Sequence, residues 1–187
     1  MSMGSFTKFK SNTSPNGSCV LVVLVLLSFG LWSCGPSDDV EKRTPEISFV
    51  GYEVLKDLDQ KDSLLILTIS YADDDGDIGL TDADTFPPFN GGSPFNNNLF
   101  ISIKERKGSG YQDIYFPGTS DTTDFNQRIP NLTPTGKNKK ISGFIDIRLD
   151  ATPNYLYPDT IECFMQIADR DLNVSNKIMT GPIYLQH

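Results

Sequence analysis

The 187-residue chain holds one histidine, and that histidine is His187, its last residue. Ser-His-Asp and Cys-His nucleophilic centres, histidine-rich zinc sites and most metallohydrolase arrangements need an imidazole as base or ligand, so its scarcity excludes them. Cysteine is nearly as sparse, with Cys19 and Cys34 near the N-terminal apolar segment and Cys163 alone in the body of the chain. No internal disulfide framework is expected there. Long apolar runs are missing too. The longest, CVLVVLVLLSFGLW from Cys19 to Trp32, has 14 residues against the roughly 20 that a membrane-spanning helix needs. Acidic residues are absent from residues 1–33, and no stretch carries a helical stripe of apolar residues.

What is present at the start is a basic stretch with Lys8 and Lys10, then the short apolar run, then a small residue before Cys34. This order predicts a secretory signal peptide over residues 1–33 that is cleaved from the mature protein. Leu31-Trp32-Ser33-Cys34 resembles the lipobox of bacterial lipoproteins, with Trp32 a bulky departure from the commonest pattern. That resemblance implies a lipidated Cys34 and attachment to a membrane through several acyl chains, which exceeds the two-signal requirement for stable anchoring. A soluble secreted protein with an incidental cysteine is the alternative. Residues 34–44 are polar, charged and without periodicity, which reads as a flexible tether. Its Asp38-Asp39 pair resembles the acidic export signals of Bacteroidota surface lipoproteins, implying the outer membrane and the cell surface; a plain solvated linker is the other reading. Cleavage would remove Lys8 and Lys10 and leave 14 bases against 24 acids, a formal charge of -10. Such a surface disfavours nucleic acid and attracts cations.

From residue 45 to 187, short apolar runs at period two alternate with Gly, Pro, Asn and Asp. Strands are expected at about Ile47–Leu55, Asp62–Ala72, Leu99–Arg106, Gln112–Phe116, Lys140–Leu149, Thr160–Ala168 and Asn176–Leu185. Seven antiparallel strands argue for an all-β, immunoglobulin or fibronectin III-like sandwich, with a small barrel as the alternative. Ile161, Cys163, Met165 and Ile167 alternate with Glu162 and Gln166, which places the Cys163 thiol inside as an apolar filler.

The stretch YADDDGDIGL, Tyr71 to Leu80, puts four carboxylates into five positions behind the apolar run LLILTISY. Parity along the second strand places Asp73 on the inward side with Leu65, Leu67, Ile69 and Tyr71, and parity along the sixth does the same for Asp169. The two would meet at one end of the sandwich, joined by Asp75 and Asp77. Crowded carboxylates must take up protons or share a cation. Calcium fits, since it accepts six to eight oxygens in flexible geometry, whereas an ordinary solvated acidic turn is the competing reading. Asp73-x-Asp75-Gly76-Asp77 resembles the start of calcium loops in integrin-type and thrombospondin type 3 repeats, but the ligand expected next falls on Thr81, and Ile78 stands where an EF-hand requires glycine.

Together with IECFMQIADRDLNVSNKIMTGPIYL, the acidic stretch resembles Bacteroidota lipoproteins that carry a D-G-D-I-G turn early and a D-R-x-x-N-x-S-N segment late. The resemblance implies an immunoglobulin-like sandwich and no particular activity. Arg170 is a candidate to pair with a loop carboxylate, or else a solvated hairpin residue. The long segment Thr81–Asn98 carries Phe86, Phe89 and Phe95. These rings either stack on a glycan or an envelope protein partner, or fold back over the open end of the core. The functional expectation is a calcium-stabilised binding or accessory module of a surface complex. A scaffold or adhesion unit without metal is the alternative, with a carboxylate-dependent glycosidase third. No enzymatic role is assigned.

Overall fold

The computed structural model describes residues 44–115, 119–120, 122–137 and 139–187. The chain divides into two units, Met1–Val40 and Glu41–His187. The expected signal peptide, Cys34 and the tether up to Arg43 lie outside the described residues. Among the described residues no helix is long and apolar enough to cross a membrane.

The described part of the second unit is all-β, with eight strands: β1 (Glu46–Lys56), β2 (Asp62–Asp73), β3 (Leu99–Lys107), β4 (Gly110–Asp113), β5 (Ile141–Asp150), β6 (Thr160–Ile167), β7 (Ile178–Met179) and β8 (Ile183–Tyr184). They form two antiparallel sheets and not a closed barrel. One runs β1-β2-β5, the other β4-β3-β6-β7 with β8 also on β6. Every pairing within them is antiparallel.

Alternation builds the core. In β2, Leu65, Leu67 and Ile69 are fully buried, and across the ladder they face Leu149, Ile147 and Ile145 of β5. In β6, Cys163, Met165 and Ile167 face Ile103, Ile101 and Leu99 of β3, so the Cys163 side chain packs as an apolar filler. These two rows belong to one buried cluster that both sheets share. Each large side chain so placed contributes roughly 1.5–3 kcal/mol of burial free energy.

Two strand expectations need correction. The strand expected over Gln112–Phe116 is shifted toward the N-terminus and ends at Asp113, while Phe116 lies outside the described residues. The single strand expected over Asn176–Leu185 is broken into β7 and β8, because Gly181 has a φ of 71° and Pro182 offers no N–H to the ladder. At the break the Thr180 hydroxyl accepts the Cys163 N–H at 3.1 Å, substituting for a backbone carbonyl. Glu162 lies between Ile161 and Cys163 on the other side of β6 from the core row. It is 3% exposed, and its nearness raises the pKa of the Tyr111 phenol of β4.

Candidate metal centre

The site starts from strand parity. Asp73 is the last residue of β2 and continues its inward row, so its carboxylate is carried to the rim of the core and is 2% exposed. The chain then turns sharply. Gly76 has a φ of 63° and lies against the backbone carbonyl of Lys139, where a β-carbon would collide with that carbonyl. This turn brings half-buried Asp75 and Asp77 back beside Asp73, and one carboxylate oxygen from each of the three lies within 4.8 Å of the others. Asp74 points away and pairs with Lys140 at 2.7 Å.

Hydrogen bonds hold the outer side of this group. The Asp77 N–H donates to Asp73 Oδ2 at 3.1 Å, and the Asp171 N–H donates to Asp77 Oδ2 at 3.2 Å. Other oxygens of the group lack such bonds. Asp73 Oδ1, Asp75 Oδ1 and Asp77 Oδ1 are buried and have no hydrogen-bond partner. A buried acceptor without a donor costs about 1–3 kcal/mol, and more when it is charged. The electrostatics agree with that strain. Burial first, and then the neighbouring Asp75 carboxylate, push the Asp73 carboxyl up to about 7. Burial, followed by the charges of Asp169, Asp75 and Asp171, raises Asp77 to about 6.

Asp169 arrives at the same end of the molecule. An isolated antiparallel bridge joins it to Ile78, directly after the acidic turn. Its carboxylate is 1% exposed, and burial raises its pKa, but both oxygens are already engaged by Asn173. Oδ1 accepts from the Asn173 N–H at 2.7 Å and Oδ2 from the Asn173 amide at 2.9 Å. The three-carboxylate group therefore comprises Asp73, Asp75 and Asp77, with Asp169 a neighbouring negative charge held by its own loop. Asn173 stands four residues after Asp169, which is the local sequence signal of this contact.

The remaining residues of the D-R-x-x-N-x-S-N segment also have structural partners. Ser175 Oγ accepts the Ile167 N–H at 3.0 Å, and the Asn176 side chain both accepts from Ile47 N at 2.9 Å and donates to Ile47 O at 2.8 Å. Asn176 thus ties the start of β1 to the segment leading into β7. Arg170 pairs with Asp84, its Nη1 at 2.8 Å and its Nη2 at 2.6 Å from the two carboxylate oxygens. The guanidinium holds Asp84 well below the usual carboxylate range, and Asp84 in turn raises Arg170.

Two of the three loop phenylalanines fold back. The Arg170 guanidinium lies 5.8 Å from the Phe89 ring centre, and Phe95 meets Phe100 edge-on with centroids 6.1 Å apart. Phe86 stays 77% exposed. Chemically, three clustered oxygens with no nitrogen or sulfur donor among them suit a hard cation such as calcium or magnesium. Comparison of the chain with protein-family models, curated proteins and solved structures finds no match.

Proposed function

We propose that this chain is a lipid-anchored lipoprotein of the outer membrane, exposed at the cell surface. In this reading its calcium-stabilised immunoglobulin or fibronectin III-like domain serves as a binding or accessory module of a surface complex. The observation that carries the calcium reading is that Asp73, Asp75 and Asp77 bring one carboxylate oxygen each within 4.8 Å of the others and that each has a buried oxygen without a hydrogen-bond partner. A divalent cation held by these carboxylates offsets the burial, and after it the mutual repulsion, that raise Asp73 and Asp77. Calcium is preferred over magnesium because the turn is an irregular cradle, and magnesium demands near-ideal octahedral geometry. Strand order supports the finer fold assignment. With β1, β2 and β5 read as A, B and E, and β3, β4, β6 and the β7–β8 pair as C, C′, F and G, the sheets follow a fibronectin type III order. Phe86, exposed on the long loop, is the ring best placed to meet a glycan or an envelope protein.

Titration calorimetry of the full chain in detergent tests the metal: calcium binds with a stoichiometry of one, and Asp75→Asn abolishes the heat. Absence of binding at millimolar calcium would favour the metal-free scaffold, for which the hydrogen bonds that Asn173 makes to Asp169 are the supporting feature. The anchor is tested separately. Globomycin should leave uncleaved precursor in cells, and Cys34→Ala should release the protein from the membrane fraction.

A further inference from the structure

We propose that the cation held by Asp73, Asp75 and Asp77 governs the order of the Thr81–Asn98 loop, with Arg170 as the positioning residue that couples the two. The inference rests on the calcium reading of the acidic turn and adds a regulatory role to it. Asp73, 2% exposed with Oδ1 unpartnered, is what marks the turn as a site and not merely a cluster of acids.

Arg170 is attached to the turn by its backbone and its side chain. Its N–H donates to the Asp77 carbonyl at 3.3 Å, and its Nη1 donates to the Gly79 carbonyl at 3.3 Å. The same guanidinium grips Asp84 through both oxygens and lies over Phe89. Asp84 Oδ2 in turn accepts from the Thr81 N–H at 2.7 Å and the Thr81 hydroxyl at 2.8 Å, closing the first turn of the loop. A continuous path of hydrogen bonds therefore runs from a proposed metal ligand to the loop.

Apart from buried Asn98, which accepts from the Ala168 and Ile129 N–H groups, the loop has few other supports. It contains no strand, and its internal backbone bonds are local, such as Phe89 N–H to Phe86 O and Asn96 N–H to Ser93 O. Arg128 braces it from another side, donating to the carbonyls of Thr81, Asp84 and Asn96. Segments held by few contacts open locally at low free-energy cost, so removing one brace is felt. Asp77 belongs to both parts, since its carboxylate is in the three-carboxylate group and its carbonyl accepts the Arg170 N–H. In this inference the metal-free turn is looser, and with it the Asp77 and Gly79 carbonyls, the two backbone acceptors on which Arg170 rests. A bound cation holds them in place, and Arg170 then holds Asp84 and the Phe89 ring.

Hydrogen exchange read by mass spectrometry tests this on the full chain in detergent, with saturating calcium or excess chelator, alongside calorimetry. Calcium should slow exchange of the loop amides about tenfold while leaving those of β6 unchanged. Asp84→Asn should bind calcium within about threefold of the parent affinity yet lose the calcium-dependent part of loop protection. Arg170→Lys, which keeps the charge without the planar fork, should lose it as well. The informative readout is the difference between the two metal states, since a merely structural brace would lower protection equally in both. Calcium binding with unchanged loop exchange overturns this inference alone. Absence of calcium binding overturns the site reading, and the coupling falls with it.

Discussion

Replacing Asp73 by Asn separates a metal ligand from a structural cap, because the two roles predict opposite signs. In the absence of metal the carboxyl of Asp73 stands at about 7 against an ordinary 3.8. At 1.36 kcal/mol for each tenfold in proton affinity, the penalty on the charged form well above neutrality is about 4 kcal/mol; water reaching half-exposed Asp75 and Asp77 screens this to about 2 kcal/mol. An amide has no charge to penalise. Its oxygen can still accept from the Asp77 N–H, as Asp73 Oδ2 does at 3.1 Å, while its NH2 faces the Asp75 carboxylate as a donor. Asp73→Asn should therefore raise stability in chelator by about 1–2 kcal/mol, or roughly 3–6 °C in melting temperature for a domain of this size. It should also erase the calcium response. For a dissociation constant of about 0.1 mM and about 1 mM free calcium, that response in the parent protein is roughly 1.4 kcal/mol, again a few degrees. Scanning calorimetry of both proteins at about pH 8, with and without calcium, supplies the four melting temperatures. If Asp73→Asn melts lower than the parent in chelator, or keeps the calcium increment, the carboxylate is a cap and the argument is refuted.

Three further outcomes are expected. Because Asp73 and Asp77 are raised to about 7 and about 6, the folded metal-free protein binds more protons than the unfolded chain above the ordinary value of 3.8. The stability these two groups contribute is fully present below 3.8 and is lost as pH rises through about 6 to 7, so melting in chelator should fall across that window and flatten when calcium is added. Gly76→Ala, which forces a β-carbon against the Lys139 carbonyl at a φ of 63°, should destabilise the domain by about 2 kcal/mol or more in urea titration. Cys163 is fully buried, and burial pushes its thiol up to about 12, so a thiol reagent should label it in denaturant and leave it unlabelled in the native protein.

Much of the site was legible because the β-strand has a period of two. Once Leu65, Leu67 and Ile69 are read as inward, Asp73 must share their side, and its 2% exposure follows. Glycine at 76 announced a tight return of the chain, which brings Asp75 and Asp77 to Asp73 within a single turn. The fate of Asp169 was less legible. Parity carried it to the correct rim, but the hydrogen bonds that Asn173 makes to both of its oxygens come from loop geometry that a run of letters does not encode. Nor did alternation reveal that Glu162, on the outer side of β6, is covered. That depends on the neighbours the sheet brings to it, among them Lys104 of β3, which faces it across the ladder from 58 residues away.

By itself, then, the sequence determined the alternating strands, the inward row that ends in Asp73 and the acidic turn. These are properties of period, composition and local backbone freedom. Only the tertiary structure decided that Arg170 reaches 86 residues back to Asp84, that Asn176 clasps Ile47 from 129 residues away, and that Phe89 and Phe95 fold in while Phe86 stays out. Such pairings are chosen by which loops the packed sheets bring to one rim, and long-range choices of that kind leave no periodic trace along the chain.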